Sequence, residues 1–232
     1  MMDWSWLPEY SDKLISGFWL TIQLLVICSF LGFLLAVPVG LVQVTGPKYL
    51  SVIARGFCTV VRGTPLLIQL WLIYYGVGEL FPGIEGIRES FLWPVLRAAF
   101  PYAVLAFTLS IAGYVGEVMR GAFAGVPKGE LEAARAMGMS PFKVLWRIWL
   151  PRAVQNVFPT LAGEVVLTLK ATPLAATITI YELFGRSTEV RQDTFLVYEP
   201  LLLVAGIYVL LTGIIVVIFG WLENRIPKPS VA

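Results

Sequence analysis

The sequence predicts an all-α integral membrane protein with five transmembrane helices and a short helical region between the third and the fourth. Of its 232 residues, 58% are hydrophobic and 14% are charged, whereas soluble domains average about 25% charged residues. The apolar residues form long blocks, and a helix needs about 20 of them to span a bilayer. The absence of histidine excludes histidine-based catalysis and histidine metal ligands. The net charge of +2 gives no indication of a nucleic-acid partner.

Each predicted span is a block with few or no charged residues. We place the five spans at residues 14–42, 52–76, 98–119, 153–181 and 199–222. The first span follows an acidic N-terminus and is much longer than the apolar core of a signal peptide, so we interpret it as a retained anchor. We expect residues 1–232 to form a single transmembrane domain, with Cys28 and Cys58 as packing residues.

The distribution of cations predicts the direction of insertion, because loops rich in Lys and Arg stay in the cytoplasm. If the N-terminus is outside, the inner segments contain ten cations: Lys48, Arg55, Arg120, Lys128, Arg135, Lys143, Arg147, Arg152, Arg225 and Lys228. The outer segments then contain five, among many acidic residues: Lys13, Arg88, Arg97, Arg186 and Arg191. We therefore predict an external N-terminus and a cytoplasmic C-terminus.

The inner loop at residues 120–151 carries the signals of two short helices. Gly138 suits the left-handed residue that follows a helix. Ser140 is a good N-cap, and Pro141 suits the first position of a second helix. We expect Pro151 to end that second helix. The first helix is too short to be stable alone, and its small residues favour docking on another protein over burial in lipid headgroups.

The segments "RGTPLL" and "KATPLA", which begin at Arg62 and Lys170, each place a cation, Thr and Pro inside a predicted span. Each proline leaves the carbonyl four residues before it, that of Val61 or Leu169, without a helical donor. The two cations are candidate donors to these carbonyls. Two interpretations remain open: the kinked helices pack against each other, or the kinks line a solute path and flex.

Polar residues recur at every fourth position of the fourth span, at Asn156, Thr160, Glu164, Thr168 and Thr172. Such a stripe faces the interior of a bundle or a cavity. We expect Glu164 to bind a cationic group of a solute or to form an ion pair with Arg62 or Lys170. In the third span we expect Glu117 to pair with Arg120. The full set predicted to line a solute pathway is Glu164, Thr168, Thr172, Ser110, Tyr114, Thr64, Gln69, Arg62 and Lys170.

The inner-loop stretch "GELEAARAMGMSPFKVLWRIWLP" resembles the EAA motif of ABC importer permeases. The matching residues, which the resemblance assigns to ATPase coupling, are Glu132, Ala133, Ala134, Gly138, Ile148, Leu150 and Pro151. "RGTPLLIQL", "AGYVGEVMRGAFAGVPKGE" and "GEVVLTLKATPLA" look like the branch that takes up polar amino acids and opines. The chain departs from that branch at Ser110 and Gly163, where the family often has Asn.

This resemblance implies a type I ABC importer permease fold in a bacterial inner membrane, working by alternating access. The expected partners are a second, identical or related permease subunit, two cytoplasmic ATPase subunits, a periplasmic solute-binding protein and membrane lipid. The expected solutes are polar, chiefly basic, amino acids or opines. The permease would not be an enzyme and would hold no cofactor, with ATP and Mg bound by the ATPase. The chain contains no G-x-x-x-x-G-K-[ST] motif, in agreement with that division.

Acidic residues in the outer loops are the expected docking points for the binding protein, namely Glu79, Glu85, Glu89, Glu182, Glu189 and Asp193. A secondary transporter with Glu164 as an ion site is the alternative function. It gives no role to the helix pair of the inner loop.

Overall fold

The computed structural model describes residues 4–225, and these residues form helices and connecting turns without a strand. Lys228, counted above among the inner cations, lies outside the described residues. The α-helices are α1 (Leu7–Thr45), α2 (Lys48–Gly63), α3 (Leu66–Trp71), α4 (Trp93–Leu96), α5 (Ala99–Ala124), α6 (Lys128–Ala136), α7 (Pro141–Val144), α8 (Leu150–Ala171), α9 (Leu183–Thr194) and α10 (Tyr198–Glu223). Wider π-helical turns at Leu72–Val77 and Leu145–Trp149 and 3-10 turns at Gly78–Gly83, Ile87–Glu89 and Thr172–Ile178 extend or join them.

Five helical stretches of the described chain are long and apolar enough to cross a membrane. They are Leu7–Thr45, Leu66–Gly83, Ala99–Ala124, Pro141–Ile178 and Tyr198–Glu223. The number of spans predicted from the sequence is therefore confirmed. The second stretch begins later than the predicted span at 52–76, because Thr64 adopts an extended conformation that separates α2 from α3.

The third spanning helix, α5, is the centre of the bundle and packs against α1, α2, α3 and α8. Glycines allow these helices to approach closely. A Cβ atom on Gly32 of α1 would lie 2.5 Å from the side chain of Ile111, and one on Gly113 of α5 would lie 2.5 Å from Val61. In a bilayer, burial of apolar surface contributes little to the association of helices, so such close packing is one of its main sources.

The two ends of the bundle are built differently. Helix α9 packs against the first turns of α1, where Lys13 pairs with Glu189 at 2.6 Å. Helix α6 lies at the opposite end of α1, where Val44 and Leu131 line the same depression. We call these the α9 end and the α6 end. At 1.5 Å per residue the 39 residues of α1 extend about 58 Å, so α1 projects well beyond a hydrocarbon core of roughly 30 Å.

The short helices at the α6 end follow the sequence signals in all but one respect. Gly138 is left-handed, with φ of +79°, and the Ser140 hydroxyl accepts the Lys143 amide at 3.4 Å. The prediction that Pro151 ends the second helix is wrong. A π-helical turn, in which the Leu150 amide donates to the Leu145 carbonyl, places Pro151 in the first turn of α8. Proline is tolerated there, so α7 continues into α8.

Candidate functional site

A cavity of about 230 Å³ lies between α3, α5 and α8. It is lined by Leu66, Phe107, Ser110, Ile111, Tyr114, Glu164, Leu167, Thr168 and Ala171. The structure thus brings together four members of the predicted solute pathway, namely Ser110, Tyr114, Glu164 and Thr168. Three hydroxyl groups and one carboxylate share an otherwise apolar pocket, which suits a small solute that carries a positive charge.

Among the described residues, Glu164 is the one charged residue that lines this cavity. Within residues 4–225 the four ion pairs lie elsewhere. No hydrogen bond from another described residue reaches the carboxylate, and the Thr168 hydroxyl donates to the backbone carbonyl of Glu164 instead, at 2.8 Å. The candidate partners Arg62 and Lys170 are both exposed. The internal ion pair considered from the sequence is therefore not formed, and the half-buried carboxylate remains available to a cation from outside the chain.

The first Thr-Pro segment separates two helices and does not simply bend one. Thr64 and Pro65 are both extended, with ψ of 141° and 134°. The Val61 carbonyl freed by Pro65 accepts a hydrogen bond from Gln69 Nε2 at 2.8 Å. The same nitrogen donates to the Thr64 carbonyl and hydroxyl at 3.0 and 2.9 Å. The proposed donor, Arg62, is not used, and Thr64 and Gln69 hold the break instead of lining the cavity.

The second Thr-Pro segment keeps the chain helical by tightening it into the Thr172–Ile178 turn. The carbonyl of Leu169 accepts from the Thr172 hydroxyl at 2.8 Å, so Lys170 is not the donor here either. Thr172 is 0% exposed and lies against Tyr208, outside the cavity lining. The polar stripe of the fourth span therefore divides, because Thr168 faces the cavity and Thr172 faces α10.

Helices α8 and α2 both pack against α5, and we call their exposed polar residues the polar face. On α8, Asn156 and Thr160 are exposed, and a Cβ atom on Gly163 would meet nothing within 4 Å. On α2, Arg55 and Arg62 are exposed as well. Because polar and charged side chains at membrane depth face protein or water and avoid lipid, this face requires a covering partner or a water-filled space.

On α5, between this face and the α6 end, Glu117 pairs with Arg120 at 2.7 Å. The predicted pairing is confirmed. The Glu117 charge is thereby compensated within the chain, unlike that of Glu164.

Helix α6 packs one face on its own bundle and leaves the other free. Leu131 and Ala134 are buried, whereas Glu132 and Ala133 are exposed and Met137 is 85% exposed. An open groove of about 680 Å³ lies beside it and includes Ala133, Ala134, Ile148 and Pro151. Of the predicted coupling residues, Glu132, Ala133, Gly138 and Pro151 are exposed, Ile148 and Leu150 are half-buried, and Ala134 is buried.

The acidic residues expected to dock a binding protein lie in three different environments. Glu79, Glu85, Glu89 and Asp193 are exposed. Glu189 is held by Lys13 and Arg186, which keep the pKa of its carboxyl below the usual range.

Glu182 is 0% exposed, so the expectation that it forms part of a docking surface is wrong. Burial raises the pKa of the Glu182 carboxyl, although four hydrogen-bond donors act against that rise. Its carboxylate caps α9 and accepts a hydrogen bond from Tyr208. The sequence gives two signals for this pair: an acid directly before a helix, and a tyrosine isolated in the apolar fifth span.

Residues 28–228 match the family described as binding-protein-dependent transport system inner membrane component. The chain belongs to this family. It is 39% identical over 210 residues to the octopine transport system permease protein of Rhizobium radiobacter, with 90% of this chain and 84% of that protein covered.

A second relative is the histidine/lysine/arginine/ornithine transport system permease protein of Escherichia coli strain K12. It is 32% identical over 212 residues, covering 90% of this chain and 87% of that protein. The crystal structure of an amino acid ABC transporter with histidines contains a chain with a TM-score of 0.80 and 26% identity, covering 97% of this chain and 99% of that one. This permease is thus a multi-pass inner-membrane subunit of an ABC importer for amino acids or opines, and it is a transport component, not an enzyme.

Proposed function

We propose that this permease carries cationic amino acids or opines across the inner membrane by ATP-driven alternating access, with Glu164 as the residue that binds the positive group of the solute. The observation that supports this proposal is the unpaired carboxylate in the 230 Å³ cavity. A charge at this depth is costly unless a partner compensates it. The relatives named for octopine and for histidine, lysine, arginine and ornithine transport agree with a cationic solute.

A second permease subunit, identical or related, would cover the polar face. The exposed Asn156 and Thr160 of α8 and the exposed Arg55 and Arg62 of α2 would then line a shared path between the two subunits. The hydroxyls of Ser110, Tyr114 and Thr168 have no charge and suit orientation of the solute more than its attraction.

Two ATPase subunits, one for each permease subunit, would each grip the free face of an α6 helix on the cytoplasmic side and bind ATP and Mg themselves. The exposed residues there are Glu132, Ala133 and Met137, which form a shallow surface with one protruding side chain. On the other face, the buried Leu131 and Ala134 fix α6 to the bundle. A helix that is anchored on one side and gripped on the other can move the spans to which it is attached. In this orientation the N-terminus and the α9 end face the periplasm, where a solute-binding protein would dock.

The test replaces Glu164 with Gln in the complete transporter reconstituted in liposomes. We expect Glu164→Gln to abolish most uptake of a cationic solute, while the complex still assembles. The matched control is Glu117→Gln, which makes the same change on the neighbouring α5 but removes a charge that is already paired at 2.7 Å. Full uptake by an assembled Glu164→Gln complex would refute the role of Glu164.

A second arm tests the source of energy. Uptake should require the ATPase subunits and hydrolysable ATP, and solute-loaded binding protein should stimulate hydrolysis. Uptake driven by an ion gradient in the absence of the ATPase would instead support the alternative of a secondary transporter.

A further inference from the structure

Four polar side chains form a connected, mostly buried group between the α9 end and the cavity. Thr21, Thr172 and Glu182 are each 0% exposed, and Tyr208 is partly buried between them. They come from α1, the turn after α8, the residue before α9, and α10. We call this set the Glu182 group. It joins four parts of the chain that are distant in sequence.

At one side, the group satisfies the first three amides of α9. Glu182 Oε1 accepts the Gly185 amide at 2.8 Å, and Oε2 accepts the Phe184 amide at 3.0 Å. The Leu183 amide donates to Thr21 Oγ1 at 3.0 Å. Because the initial amides of a helix otherwise lack partners, these bonds fix the start of α9 to α1.

At the other side, the group reaches the last turn of α8. The Tyr208 hydroxyl donates to Glu182 Oε2 at 2.9 Å and lies 3.0 Å from Thr172 Oγ1. Thr172 follows Ala171, which lines the cavity. Since the Tyr208 proton goes to Glu182, the single proton of the Thr172 hydroxyl is shared between two acceptors, the Tyr208 oxygen and the Leu169 carbonyl at 2.8 Å. One tyrosine hydroxyl therefore connects the cap of α9 to the end of α8, where Thr168 and Ala171 line the cavity.

The buried carboxylate makes this connection stiff. Glu182 has no ion pair in residues 4–225, so its charge is compensated by hydrogen bonds alone. Removing a donor from a buried charged acceptor leaves its desolvation uncompensated. A displacement of α9 must therefore carry the Glu182 group with it or break several buried hydrogen bonds.

We infer that Glu182 and Tyr208 are positioning residues that couple movement of α9 to the end of α8 at residues 169–172, where Ala171 lines the cavity. This inference rests on the proposed function in one respect, since it takes α9 to be the part of the permease that a docked binding protein displaces. Coupling between two sites through such a network is typically worth a 5- to 150-fold change in the equilibrium at the second site.

A simple cap of α9 would need only the two bonds from Glu182 to the backbone. It would not need a tyrosine hydroxyl shared with Thr172. The discriminating variant is therefore Tyr208→Phe, which leaves the backbone cap and the aromatic packing in place and removes only the shared hydroxyl. The matched control is Tyr10→Phe, because the Tyr10 hydroxyl binds α9 near its other end, at Asp193, 3.3 Å away.

The first measurement is amide hydrogen exchange of the purified permease in lipid nanodiscs, which depends on no assumption about transport. We expect Tyr208→Phe to raise exchange roughly five- to tenfold, the effect of one lost hydrogen bond, in both residues 183–187 and residues 169–178. Tyr10→Phe should affect only the C-terminal part of α9. Unchanged exchange of residues 169–178 in Tyr208→Phe would overturn the inference.

The second measurement is ATP hydrolysis by the reconstituted complex. We expect Tyr208→Phe to retain basal hydrolysis and to lose the stimulation by solute-loaded binding protein roughly fivefold or more, whereas Tyr10→Phe keeps it. Retained stimulation in Tyr208→Phe, or an equal loss in both variants, would contradict the coupling. If the wild-type complex itself shows no stimulation, the proposed function fails, and the exchange measurement alone decides the inference.

Discussion

Gln69 is the residue on which the break between α2 and α3 depends, and its replacement gives a direct test. Its Nε2 atom donates to the Val61 carbonyl, the Thr64 carbonyl and the Thr64 hydroxyl at 2.8 to 3.0 Å. A net 0.5–1.5 kcal/mol for each of the two available protons gives a loss of about 1–3 kcal/mol in Gln69→Leu. We expect Tm to fall by about 4–8 °C for a loss near 2 kcal/mol.

The assay is thermal unfolding of the purified permease in one detergent, followed by light scattering and intrinsic fluorescence. Gln23→Leu is the matched control, because Gln23 lies exposed on α1 and the same change there removes no hydrogen bond within residues 4–225. An unchanged Tm in Gln69→Leu, or an equal fall in both variants, would refute the idea that Gln69 replaces the lost helical donor.

Three further predictions concern stability and coupling. The pKa of the Glu189 carboxyl is lowered in the folded protein. Its ion pairs therefore stabilise the folded state at pH values above the ordinary pKa near 4.5. This contribution is lost as the pH falls through the lowered pKa. The Tm gap between wild type and Glu189→Gln should therefore close in acid, and a gap that persists there would contradict the assignment. Gly32→Ala should lower the free energy of unfolding by about 1–3 kcal/mol through overlap with Ile111. Gly206→Ala, where an added Cβ has no described atom within 4 Å, should be neutral or slightly stabilising. Urea or thermal unfolding of the two variants compares them. Ala133→Trp, on the free face of α6, should leave Tm within experimental error and abolish co-purification with the ATPase subunits, and retained binding would exclude this face as the contact.

The features that the sequence predicted correctly are those with a local or periodic signal. Gly138 and Ser140 lie within a few residues of the helix ends they define, and Glu117 and Arg120 lie one turn apart. The recurrence of Glu164 and Thr168 along one helix face placed them on the cavity without any knowledge of the neighbouring helices.

The features that sequence analysis missed depend on partners far along the chain or on an unusual backbone. Nothing near Pro151 indicates that a π-helical turn will carry the helix past it. Glu182 resembles a surface acid because its partners, Thr21 and Tyr208, are 161 and 26 residues away. Gln69 was assigned to the solute path, since a polar residue that faces inward has the same sequence pattern whether it binds solute or backbone.

The Glu182 group also has a consequence for synthesis of the protein. The ribosome makes Glu182 before Tyr208, so the carboxylate near the end of the fourth span lacks one of its main donors until the fifth span enters the membrane. A nascent chain that stops before α10 therefore presents to the quality-control proteases an acid that lacks one donor and a helix α9 that lacks its contacts with α10. Pulse-chase comparison of chains ending at residue 197 and at residue 225 should show faster degradation of the shorter form, and Glu182→Ala in the shorter form should slow it.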